Sequence, residues 1–157
     1  YDAKNARGIG LRPAQVEWLR KTLTEDTRTP TVVIWHYAFT NRRGNSSCGY
    51  KLPGAICLSS QDVLGILEAA PNVVATLCGH AHWNEVNRVG RVTHLQNPSF
   101  AEWPNAFRVV RVYPDRLEWE VRQPGNRGFI RESFLAHKAL SWMLSTGEGD
   151  LAGEVRF

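Results

Sequence analysis

Two histidines one residue apart, His80 and His82, stand in Gly79-His80-Ala81-His82, directly after the apolar run Val73-Val74-Ala75-Thr76-Leu77-Cys78. A turn at the end of a buried strand can aim both imidazoles at one locus, and a glycine there lets the backbone turn without a Cβ clash. Neutral imidazole binds zinc, iron and manganese, and strand ends in α/β proteins are common places for sites. A third histidine, His36, likewise closes an apolar run, Thr31-Val32-Val33-Ile34-Trp35, and a long polar segment follows it. Taken singly, each histidine reads as a core residue satisfied by hydrogen bonds. The three together read as a metal site, because parallel neighbouring strands would bring His36 beside His80.

Other chemistry-bearing residues are weaker pointers. Arg42 and Arg43 follow His36 in the long polar segment and can contact a substrate phosphate or simply be solvated. His94, near Asn97, can line the site or be structural, and Trp83, beside the histidine pair, can stack on a base or aromatic leaving group. His137 lies far from the other motifs and reads as packing or surface. Ser46, Ser47 and Cys48 invite a nucleophile, but no Gly-x-Ser-x-Gly elbow or phosphate loop surrounds them. The three cysteines, Cys48, Cys57 and Cys78, form no CxxC pair, and Cys48 with Cys57 can form a disulfide or stay as free thiols.

The elements that must position these groups follow from hydrophobic spacing. Val16, Leu19 and Leu23 recur at helical intervals after Pro13, which suits a first turn, so a helix is expected over residues 12–23 with Trp18 widening its apolar side. Residues 31–36 and 73–78 read as central strands buried on both faces. A helix over 60–70, with Val63, Leu64, Ile66 and Leu67 apolar, joins them. Beyond the histidine pair, shorter strands are expected near 85–87, 91–96, 107–113 and 117–122, separated by Gly90, Pro98, Pro104 and Pro114-Asp115. In the last, Leu117, Trp119 and Val121 alternate with charged residues, as in a sheet with one wet face. A final helix is expected over 132–144 and a polar tail over 145–157. The sum is one α/β domain across residues 1–157 with strands of mixed direction.

Composition sets the outer bounds. The chain has 157 residues, 43% hydrophobic and 22% charged, which is ordinary globular usage. The net charge of +4 suits an anionic substrate, and its lysines and arginines are scattered, so no nucleic-acid partner is indicated. No apolar run approaches the ~18 residues of a membrane span. A soluble chain is expected, and its compartment is left open.

The ordered set Gln15-Val16-Glu17-Trp18-Leu19, Val32-Val33-Ile34-Trp35-His36, Gly79-His80-Ala81-His82, His94-Leu95-Gln96-Asn97-Pro98-Ser99 and Trp103-Pro104-Asn105-Ala106-Phe107-Arg108-Val109-Val110 resembles the second half of calcineurin-like metallophosphoesterases. The resemblance covers residues 8–121. It implies half of a four-layer α-β-β-α sandwich with two mixed sheets, and two divalent transition metals, manganese, iron or zinc, at strand ends. His36 and His80 would bind the second metal and His82 the first. Such a pair of ions hydrolyses phosphate monoesters or diesters. The family's DxH, GDxxD and GNHD/E motifs do not occur in the sequence. The catalytic residues are therefore expected in an N-terminal half supplied by a preceding segment, a complementary chain or an oligomer. A noncatalytic scaffold that keeps the fold, and a structural single-metal site, are the alternatives.

Overall fold

A computed structural model of the chain describes residues 11–40, 60–136 and 140–157. The first element, α1 (Pro13–Glu25), opens with Pro13 where a missing amide donor is harmless, and the Gln15 side chain accepts the Arg12 N–H at 2.9 Å. Leu19 and Leu23 are buried on its inner face, whereas Trp18 is 65% exposed and does not widen the apolar side.

Two sheets carry the rest. In the first, β1 (Thr31–Ile34), β2 (Val73–Cys78), β3 (Glu85–Val89) and β4 (Val92–Gln96) lie in the order β1-β2-β4-β3. The pairs β1–β2 and β2–β4 are parallel, and β3–β4 is antiparallel. The parallel pairs bring the C-terminal ends of β1 and β2 side by side. Helix α2 (Ser60–Ala69) precedes β2 in the chain, and its Val63, Ile66 and Leu67 pack with Leu19, Leu23, Phe39, Val73 and Val92. The Arg91 guanidinium donates to the carbonyls of Glu68 and Ala70, satisfying the open end of α2. The turn that places Arg91 requires Gly90, whose φ is +56°.

The opposite face of this sheet offers Val74, Ala75 and Leu95, which meet Leu117, Trp119 and Val155 of the second sheet. That sheet is antiparallel, β5 (Phe107–Val112), β6 (Arg116–Arg122) and β7 (Ala152–Arg156), in the order β5-β6-β7. Burial of Leu117 and Trp119 against half-buried Arg116, Glu118 and Glu120 follows the alternation read in the sequence. Helices, sheet and sheet thus form three packed layers. Where a helix is expected over 132–144, helix is described over α3 (Arg127–Ala136), which starts earlier than expected and buries no residue, and over α4 (Leu140–Ser145). The expected polar tail ends in β7, where Gly153 faces Trp119 so closely that a Cβ would strike the indole. Among the described residues, no helix is long and apolar enough to cross a membrane.

Candidate metal centre

Parallel pairing of β1 and β2 sets the geometry of the histidines. The ladder continues past the strand ends, where Trp35 N–H donates to the Leu77 carbonyl at 3.0 Å and Gly79 N–H to the His36 carbonyl at 3.0 Å. The Gly79-His80-Ala81-His82 turn therefore hangs from the His36 backbone. Its left-handed residues are His80 (φ 65°) and His82 (φ 56°). Gly79 is not among them, and a Cβ there would only touch the His36 carbonyl, so the glycine is not what lets the chain turn. Two non-glycine residues at positive φ within three positions store backbone strain, and such strain clusters at functional sites.

His80 Nδ1 lies 3.2 Å from His36 Nε2, with Tyr37 packed on the His80 ring at 4.2 Å between centroids. Two imidazole nitrogens bound to one ion at about 2.1 Å would be separated by about 3.0 Å at a right angle and about 3.4 Å at a tetrahedral one. The observed separation falls between these values. Burial pulls the His80 imidazole below its ordinary pKa, and nearby His36 and His82 act in the same direction, all favouring the neutral form that ligates. His82 has a different partner, its Nδ1 at 2.6 Å from Glu102 Oε1. Among the described residues, no group of three or more His, Cys, Asp or Glu side chains converges to hold a metal ion. These side chains fit part of a coordination shell and do not close one.

The secondary candidates are dispersed. Arg42, Arg43, His137, Ser46, Ser47, Cys48 and Cys57 lie outside the described residues. Trp83 is 9% exposed, so little of its indole is open for stacking. His94 is buried in β4, with Nδ1 at 2.8 Å from Thr76 Oγ1 of β2. Burial pushes the His94 imidazole from its ordinary 6.5 down to about 4. Protons then bind the unfolded chain in preference, so His94 leaves stability intact above pH 6.5 and lowers it as pH falls toward 4, by about 3 kcal/mol. Urea unfolding at pH 7 and pH 4 should show that loss, reduced in His94→Gln; equal losses in both proteins would contradict the assignment.

Two features escaped the sequence reading. Glu102 contacts His82 from the loop before β5, and nothing in the spacing of charged residues marks it. A polar network just beyond the turn links Asn84, Arg108 and Asp150. The Arg108 guanidinium donates to Asn84 Oδ1 at 2.7 Å, Asn97 Oδ1 at 3.3 Å, and the carbonyls of Gln96 and Asp150, each at 3.1 Å. The buried Asp150 carboxylate accepts the Val86 N–H at 2.8 Å. The run Asn105-Ala106-Phe107-Arg108 was visible in the sequence, but the partner, Asp150, lies in the segment read as a tail.

No family model and no curated protein matches the chain. Among solved structures it is similar to a dimetal phosphatase from Danio rerio, with a TM-score of 0.57 and 18% identity, over 73% of this chain and 36% of that one. The chain thus spans about a third of that neighbour's length, and at this identity the likeness is one of fold. A mixed α/β chain with two sheets agrees with a metallophosphoesterase-like fold.

Proposed function

We propose that this chain supplies the histidine side of a dinuclear centre that hydrolyses phosphate monoesters or diesters. The observation that carries the reading is the pair of adjacent parallel strand ends that bring His36 Nε2 and His80 Nδ1 within 3.2 Å, on a turn strained at His80 and His82. His36 and His80 would hold one divalent transition ion and His82 the other. Such ions supply Lewis acidity toward the phosphoryl group and an activated water at neutral pH. The chain's own residues orient the donor atoms: Tyr37 packs on the His80 ring, and the Gly79–His36 backbone bond fixes the turn. The similarity in fold to a dimetal phosphatase supports the same reading.

The remaining ligands would come from an N-terminal half of the domain, in the same protein or in a complementary chain. Ile34, on the outermost strand of the first sheet, is 75% exposed, which supports cover by a further segment at that edge. Arg42 and Arg43 are proposed to contact the substrate phosphate, whereas the burial of Trp83 and His94 argues against a direct substrate contact for either. Hydrolysis of an aryl phosphodiester and an aryl phosphomonoester by the complete assembly should disappear on chelation and return with manganese, iron or zinc. Hydrolysis that survives removal of metal would sink the proposal.

A further inference from the structure

Glu102 has no place in the histidine pattern, yet it makes the shortest described contact to any of the three candidate ligands. Its Oε1 lies 2.6 Å from His82 Nδ1, and its side chain is 19% exposed against 49% for His82. We propose that Glu102 is a positioning residue for His82, holding the ring with Nδ1 protonated so that Nε2 is presented as the donor atom for a metal ion. This rests on the reading of His82 as a metal ligand.

The chemistry of the pair sets the direction. An ionised carboxylate only accepts hydrogen bonds, so at 2.6 Å the proton sits on Nδ1, and in the neutral ring the lone pair then lies on Nε2. Histidines that ligate metals characteristically give their other ring N–H to a carboxylate or carbonyl, which fixes both tautomer and ring orientation. An exposed ion pair formed by chance would need no support, because such pairs contribute little. Glu102 is instead held by its loop. Asn105, fully buried with φ 57°, donates its N–H to the Glu102 carbonyl at 2.6 Å and its Nδ2 to the Phe100 carbonyl at 3.0 Å. Buried Ser99 accepts the Ala101 N–H at 3.2 Å, and Gln123 Nε2 ties the Pro104 carbonyl at 2.8 Å. The backbone on both sides of Glu102 is thereby fastened, and on the other partner the left-handed φ of His82 aims its ring at the carboxylate.

The test reads the tautomer before it reads any metal. Long-range 1H–15N spectra of the metal-free protein at neutral pH should show His82 protonated at Nδ1. Glu102→Ala should move it toward the Nε2-protonated form that free histidine prefers, and Glu102→Gln, which keeps an acceptor oxygen, should retain the original form. In the metal-binding assembly, Glu102→Ala should weaken affinity by about 10- to 100-fold, Glu102→Gln less, with thermal unfolding of the metal-free protein unchanged. An unchanged tautomer in Glu102→Ala, or equal metal affinity in that variant and wild type, would overturn the proposal. A tautomer that shifts as described in a protein that binds no metal overturns the metal-centre reading and the positioning role that depends on it, leaving only the hydrogen bond.

Discussion

Replacing His80 by alanine should lower metal-dependent phosphoester hydrolysis by roughly 1,000-fold in the assembly that carries the remaining ligands. The magnitude follows from the stabilisation an ion gives to transition-state charge, about 4 kcal/mol, and from the factor of ten in rate per 1.4 kcal/mol. His80 is the residue to choose because its Nδ1 faces His36 Nε2 at 3.2 Å, so its loss would remove one of the two donors proposed for the same ion. Folding should be spared. His80 already sits at φ 65°, so alanine meets no backbone demand that histidine did not. Steady-state hydrolysis with unfolding of the metal-free protein as control checks both halves. Activity within a few-fold of wild type would remove His80 from the centre.

Arg108→Met should destabilise the fold by about 3–5 kcal/mol, because it deletes the charged member of a buried polar network and takes its hydrogen bonds from the acceptors that face it. Asn84 Oδ1, Asn97 Oδ1 and two carbonyls would lose the guanidinium that now holds them. Burial lowers the Arg108 pKa to about 10, so the side chain remains charged at neutral pH and methionine replaces a charged donor, not a neutral one. Damage should concentrate where the network joins the two sheets. The Val86 amide, which donates to Asp150, should lose hydrogen-exchange protection more than amides in the Val73–Cys78 strand. Urea unfolding that shifts by less than about 1 kcal/mol would show that the network is incidental.

The contrast between these two residues explains what was legible in the sequence. Val73–Cys78 is bounded as its apolar run predicts, whereas the β-branched run from Thr31 marks a strand but not its place: Thr31–Ile34 stops two residues short of His36 and lies at the edge of the described sheet with Ile34 exposed, not in the centre buried on both faces. Both signals are local, and parallel pairing of the two strands then carries His36 to His80. The strand Ala152–Arg156 was not legible, since its place depends on pairing with Arg116–Arg122 and on a glycine fitted against Trp119. Alanine, glycine and charged residues in that segment carry little strand signal of their own. The final helix begins at Arg127, earlier than the apolar spacing around Leu135, Leu140 and Met143 suggests, because its first turn carries Arg127 and Gly128 and no apolar repeat marks it. Trp18 was assigned inward from its spacing alone, although the α1 face is set by Leu19 and Leu23. Glu102 and Asp150 were hidden for a common reason: each acts through a long-range contact that no spacing rule encodes.

The most direct test of the half-centre is metal stoichiometry. Equilibrium dialysis followed by elemental analysis should find two transition-metal ions per assembly when the N-terminal ligands are present, with occupancy lost on substituting His36, His80 or His82. Less than one ion per assembly, or two ions retained when all three histidines are replaced, would contradict it.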